Sequence, residues 1–121
     1  MTRVAIVEDN PDNRLLVRAL LDGSFSCIEY ENGVDALAGL LVHRADVVLL
    51  DISLPGMDGV EVLRRIRADE RLCRLPVIAL TAHAMAGDRE KFLSAGFNDY
   101  VTKPILDEEF LLGAIARALS V

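Results

Sequence analysis

Five positions could do chemistry together: the adjacent carboxylates Glu8 and Asp9, the carboxylate of Asp51, the hydroxyl of Thr81 and the amine of Lys103. Each ends or follows a short apolar run. Crowded carboxylates repel one another and raise each other's pKa values unless a cation offsets the charge. Hard oxygen ligands with room for water suit Mg²⁺, which is often held by one or two carboxylates plus phosphate oxygens. Lysine is a compact point charge suited to a phosphoryl oxygen. A carboxylate nucleophile, magnesium, a lysine and a hydroxyl would make a phosphoryl-transfer site, where positioning and charge neutralisation do most of the catalysis. Singly, each residue is ordinary. An acidic pair after a strand is most often a helix cap or a solvated loop, and a lone Thr or Lys means less. The weight lies in all five falling at the ends of four strands.

The strands that must position them are legible as apolar β-rich runs. These are Val4-Ala5-Ile6-Val7, a weaker Ser26-Cys27-Ile28-Glu29-Tyr30, Val47-Val48-Leu49-Leu50, Val77-Ile78-Ala79-Leu80 and a short Tyr100-Val101-Thr102. Three are continuously apolar, as parallel strands covered on both faces are. Between them run segments of helical period. Leu15, Leu16, Ala19 and Leu20 form one expected stripe, and Leu37, Ala38 and Leu41 another. Val62, Leu63 and Ile66 form a third, and Phe110, Leu111, Ala114, Ile115 and Ala118 a fifth. The fourth, from Ala86 to Ala95, is weaker, with Phe92 and Leu93 its clearest apolar residues.

End signals agree with these boundaries. Asn10-Pro11 offers an N-cap followed by proline at the first helical position. Asp58 and Glu61 have the spacing of a capping box. Gly23 and Gly96 stand where left-handed C-terminal caps belong. Asp107 can cap the last helix, with Glu108 and Glu109 in its positive first turn. The order implies an α/β fold: a (βα)₅ flavodoxin-like, doubly wound, parallel five-stranded sheet of order 2-1-3-4-5. In such a sheet ligands bind beyond the strand C-termini where the order reverses, between the first and third strands. Glu8, Asp9 and Asp51 lie just there. Residues 1–121 are expected to form one domain, with the last helix ending at the chain terminus and no effector domain following.

Composition narrows the function. Thirteen basic and nineteen acidic residues give a net charge of −6, against the basic face of a nucleic-acid-binding domain. The absence of tryptophan and the low aromatic content disfavour a base-stacking surface. No apolar run nears the roughly 18 residues of a membrane span, and the N-terminus lacks a secretory signal's pattern. Cys27 and Cys73 have no metal-ligand spacing and read as thiols in a reducing cytoplasm.

With those residues in place, the chain closely resembles the receiver domains of two-component response regulators from Val4 to the final helix. The resemblance is carried by Val7-Glu8-Asp9-Asn10, by Asp51-Ile52-Ser53-Leu54-Pro55-Gly56-Met57-Asp58-Gly59, by Ala79-Leu80-Thr81-Ala82 and by Lys103-Pro104. The stretch from Leu80 to Gly87 also resembles the receivers of hybrid kinases and some stand-alone regulators. The resemblance implies Asp51 as phosphoacceptor and Asp9 as a direct Mg²⁺ ligand. Glu8 would reach the metal through water, and the Ser53 backbone carbonyl would add a ligand. Lys103 would contact the phosphoryl oxygens, Thr81 would move toward them, and Tyr100 would be the switch aromatic that follows. The Lys103-Pro104 bond would be cis, which proline makes accessible. Expected partners are a histidine kinase or histidine phosphotransfer protein and a downstream protein on the helix 4–strand 5–helix 5 face. A phosphorylation-dependent homodimer is a further option.

Other readings stand beside these. Tyr100 could be plain strand packing. His83, near the site mouth, reads as a solvated loop residue, His43 as a helix C-terminal charge partner, and Met57 and Met85 as packing. A small Mg²⁺-dependent phosphatase of the haloacid-dehalogenase type also uses an aspartate nucleophile, but typically carries a second aspartate two residues later, where this chain has Ser53. Without a positioned base, hydrolysis should be slow, which suits a switch and not an enzyme of turnover. A flavodoxin-like cofactor carrier or dinucleotide-binding module needs a phosphate-cradling loop after the first strand, where this chain places Glu8-Asp9-Asn10-Pro11. A receiver cut from a hybrid kinase is compatible with the sequence.

Overall fold

The structure, a computed structural model, describes residues 2–82, 88–103, 105 and 107–120. Its elements run β1 (Arg3–Val7), α1 (Pro11–Leu21), β2 (Ser26–Tyr30), α2 (Gly33–Val42), β3 (Val47–Asp51), α3 (Gly59–Ala68), β4 (Val77–Thr81), α4 (Asp88–Ala95), β5 (Asp99–Thr102) and α5 (Glu108–Leu119). All four strand pairings are parallel and the order is β2-β1-β3-β4-β5, as the sequence predicts. β3 and β4 are buried along their whole length, the result of apolar side chains on both faces.

Alternation along the strands splits the core in two. Val4, Ile6, Val47, Leu49, Ile78, Leu80 and Val101 pack with Val17 and Leu21 of α1 and with Leu111, Ala114, Ile115 and Ala118 of α5. Ala5, Val7, Val48, Leu50, Val77 and Ala79 point the other way, onto Ala36 and Leu40 of α2, Val62, Leu63 and Ile66 of α3, and Phe92 of α4. This is the doubly wound arrangement, with helices packed on both faces of the sheet.

The caps hold as expected. The Asn10 side chain accepts from the Asp12 and Asn13 amides at 2.8 and 3.2 Å, with Pro11 opening α1. Asp58 accepts from the Glu61 amide at 2.9 Å, while the Glu61 carboxylate turns outward to Arg64 and Arg65 and leaves the box half closed. Asp107 accepts from the amides of Glu109 and Phe110. Gly23 and Gly96 have positive φ, 84° and 113°, which a side chain would resist. Asn32 also caps α2 through the Asp35 amide.

Two stripes are met only in part: Leu20 of α1 and Leu37 of α2 pack against the core, but the fully buried positions lie elsewhere. In α1 the inward residues are Val17 and Leu21, whereas Leu15 is 67% exposed and Leu16 38%. In α2 they are Gly33, Ala36 and Leu40, with Leu41 on the surface. Both helices carry apolar residues on more than one face, so the period alone does not choose between them. Likewise Phe92 of α4 is buried while Leu93 is exposed, and Phe110 of α5 is half exposed. Phe92 is the buried residue of α4, worth about 2–3 kcal/mol of apolar burial. That makes α4 a lightly anchored helix. His43 is the C-cap of α2, its amide donating to the Gly39 carbonyl, and Met57 packs against the core. His83, Met85 and the proline of Lys103-Pro104 lie outside the described residues. No helix among them is long and apolar enough to cross a membrane.

Candidate functional site: an acidic cluster at the sheet switch point

Parallel pairing in register brings the ends of β1, β3, β4 and β5 to one rim. Ile6 and Val7 lie beside Leu49 and Leu50, Asp51 beside Leu80, and Thr81 beside Thr102. The next residues, Glu8, Asp9 and Lys103, therefore project over the same edge. A carboxylate oxygen from each of Glu8, Asp9 and Asp51 lies within 4.8 Å of the others. Glu8 and Asp51 are almost fully buried, at 1% and 2% exposure, whereas Asp9 is exposed.

Lys103 closes the cluster. Its Nζ lies 3.0 Å from Asp51 Oδ1 and 3.2 Å from Glu8 Oε2, and its amide donates to the Thr81 carbonyl at 2.7 Å. Burial pushes the Glu8 carboxyl above its ordinary range and the charge of Asp51 adds to it; Lys103 opposes both without cancelling them. For Lys103, burial alone would favour the neutral amine. The hydrogen bond and charge of Asp51, then those of Glu8, outweigh it and hold the ammonium above its ordinary pKa. The donor set fits a hard divalent cation: three carboxylates meet at one point and a single lysine offsets only one of their charges.

Of the remaining predicted residues, Ser53 touches this centre, while Thr81 and Tyr100 lie on the flanking strands. Thr81 ends β4 and is buried. The Ser53 amide donates to Asp51 Oδ1 at 3.0 Å, fixing the carboxylate from the loop that follows β3. Tyr100 stands half buried on β5, one strand position before Val101, with its ring 5.5 Å from that of Phe92. Gly59 opens α3 directly behind Asp51, where a Cβ would collide with the Asp51 carbonyl oxygen and sit 2.8 Å from Ile52 Cα.

Sequence reasoning missed the residues that brace Glu8. Its Oε1 accepts from the Asn10 amide at 3.2 Å and from Asn13 Nδ2 at 3.4 Å. It also missed Asp99, a buried acid held by Arg117 of α5 at 2.9 Å and by Arg89 of α4 at 3.4 Å. The only sequence signal for either is polar residues close to a strand end, which is too common to single them out.

A doubly wound α/β domain with three carboxylates and a lysine at its topological switch point is the architecture of a phosphoryl-responsive signalling module. The chain matches the response regulator receiver domain over residues 4–116 and belongs to that family. It is 42% identical over 109 residues to the polar-differentiation response regulator DivK of Brucella anthropi, covering 89% of each chain. It is 41% identical over 111 residues to the sensor protein GacS of Pseudomonas syringae, covering 88% of this chain but only 12% of the length of GacS. Among solved structures, the receiver domain of a Pseudomonas aeruginosa sensor histidine kinase matches with a TM-score of 0.88 at 37% identity, covering 99% of this chain and 98% of that one. That protein was crystallised with a magnesium ion coordinated in its active-site cleft. The chemotaxis protein CheY4 of Vibrio cholerae gives a TM-score of 0.89 at 27% identity, covering 98% and 99%. Receiver domains interact with histidine kinases or phosphotransfer proteins. Nothing in these likenesses supports the phosphatase alternative.

Proposed function

We propose that Asp51 accepts a phosphoryl group from a phosphohistidine of a histidine kinase or histidine phosphotransfer protein, in a reaction that requires Mg²⁺. The observation that carries this reading is the meeting of the Glu8, Asp9 and Asp51 carboxylates within 4.8 Å, with Lys103 bonded to the nucleophile. Asp9, Asp51 and the Ser53 carbonyl would hold the metal, with Glu8 acting through water. When bound, Mg²⁺ supplies positive charge to the phosphoryl oxygens and relieves repulsion within the cluster.

The chain's own residues do the rest. An Asp51 carboxylate oxygen forms a bond to phosphorus in line with the breaking P–N bond, and the imidazole leaves. Lys103 neutralises charge developing on the phosphoryl oxygens. The Thr81 hydroxyl then donates to the acyl phosphate, and Tyr100 repacks against the lightly anchored α4. The α4–β5–α5 face thereby changes its preference for a downstream protein or for a second copy of the chain, a population shift with the phosphoryl group as differential ligand. Ser53 offers no carboxylate base, so phosphate is lost slowly and the protein acts as a switch and not as an enzyme. Residues 1–121 act as one domain, in the cytoplasm, where the half-buried thiols of Cys27 and Cys73 stay reduced.

The test is incubation with acetyl phosphate and Mg²⁺ followed by mass spectrometry, with Asp51→Asn as control. One phosphoryl on Asp51, absent when Mg²⁺ is chelated, is the expected result. Equal labelling of the Asn variant would sink the assignment.

A further inference from the structure

We propose that Arg14 is the positioning residue of the acidic cluster. The inference rests on reading that cluster as a Mg²⁺ site. Asp9 is the exposed member, and its carboxylate has no hydrogen bond or ion pair among the described residues. Only its backbone can place it. The side chain that holds that backbone is Arg14, one turn into α1: Nη1 donates to the Glu8 carbonyl at 2.8 Å and to the Asp9 carbonyl at 3.3 Å.

The guanidinium is itself held from behind. Nε lies 3.4 Å from Glu29 Oε1 at the end of β2, and Nη2 lies 3.7 Å from Glu31 Oε1. The Arg14 side chain is only 14% exposed. Its planar fork thus ties the turn after β1 to the neighbouring strand and to the helix that follows. The next residue back, Asn13, holds the Glu8 carboxylate by its amide. One helical turn therefore fixes the backbone of both acids and the side chain of one. A lysine could supply the charge, but its donors sit on one nitrogen and could not span the carbonyls and the Glu29 carboxylate as the planar guanidinium does.

The consequence is specific to metal affinity. Partners that orient ligands typically change metal affinity by about 10–100-fold when removed. Mg²⁺ dissociation constants are to be measured by isothermal titration calorimetry for the wild type, Arg14→Lys, Arg14→Met and the double variant Glu29→Gln/Glu31→Gln. The maximal rate of labelling by acetyl phosphate at saturating Mg²⁺ is measured alongside. Both Arg14 variants should weaken Mg²⁺ binding about tenfold, with a smaller shift in the same direction for the double variant and a near wild-type maximal rate. If Arg14→Met unfolds, as judged by circular dichroism, Arg14→Lys and the double variant carry the same test. Wild-type affinity in Arg14→Lys and the double variant would overturn the proposal, as would a lost maximal rate with unchanged affinity. A wild-type protein that binds no Mg²⁺ would instead overturn the metal-site reading itself.

Discussion

Lys103 Nζ lies 3.0 Å from Asp51 Oδ1, although β4 separates the strands that carry them. The lysine stem must cross the end of β4 to make this contact, passing the buried Thr81 whose carbonyl accepts the Lys103 amide. The Lys103 ammonium, the Thr81 residue and the Asp51 carboxylate are thus ordered along one line of the sheet rim.

Removing that ammonium should be felt first in stability. In Lys103→Met, Glu8 and Asp51 remain as buried neighbours without their counter-charge, and the loss should be about 3 kcal/mol near neutral pH, measured by urea unfolding. Added Mg²⁺ should narrow the gap between variant and wild type, since the acidic ligands remain. Labelling by acetyl phosphate should fall even at saturating Mg²⁺. A variant that loses Mg²⁺ binding altogether would show that Lys103 has been misplaced.

Two pH limbs follow from the charge pairs. The folded Lys103 pKa lies above its unfolded value, so its stabilisation is complete below the ordinary lysine range of about 10.4 and is lost as pH rises through the folded value. The alkaline fall in stability should be shallower in Lys103→Met. Glu61 behaves oppositely: hydrogen bonds from Arg64 and Arg65 hold its carboxyl down at about 2. Its contribution is present above the ordinary glutamate range and fades as pH falls toward that value. Glu61→Gln should lower the urea midpoint slightly at pH 7, and the difference should vanish in strong acid.

Gly59→Ala should be disproportionately harmful for so small a change. The added methyl meets backbone atoms of Asp51 and Ile52, which cannot swing aside as a side chain would. A cost of about 1–3 kcal/mol is expected from overpacking. Because the displaced atoms carry the Asp51 carboxylate, its labelling by acetyl phosphate should slow as well; an unchanged rate would show that α3 yields instead.

Tyr30→Phe should stabilise the protein. The Tyr30 hydroxyl is buried against Gly39 of α2 and has no hydrogen-bond partner among the described residues. Removing an orphaned polar group should gain about 1 kcal/mol, read as a higher urea midpoint. Gly39→Ala should do the reverse, since its Cβ would overlap the Tyr30 ring.

Much of this architecture is legible in the sequence. Val47–Leu50 and Val77–Leu80 announced central parallel strands because burial on both faces demands unbroken apolar runs, and the caps at Asn10, Asp58 and Asp107 depend only on local chemistry. The five site positions were legible because the topology rule converts strand ends into neighbours. The inward faces of α1 and α2 were legible only at Leu20 and Leu37. Leu15-Leu16-Val17 and Leu40-Leu41-Val42 offer apolar residues in succession, and only the packed sheet decides that Val17 and Leu40 turn in. Arg14 escaped notice for a related reason: its partners include main-chain carbonyls, which every sequence has and none advertises.

The Glu8–Lys103 hydrogen bond joins residues 95 positions apart, and completing the site needs β1, β3, β4 and β5 all in place. Contacts between residues so far apart in sequence form only after a large loop-closure entropy has been met. A half-unfolded copy still contains Asp51, but not the ammonium and the neighbouring acids that the fold brings beside it. On the reading proposed for Asp51, only molecules whose four strands have come together would accept a phosphoryl group, and unfinished copies would not compete for it.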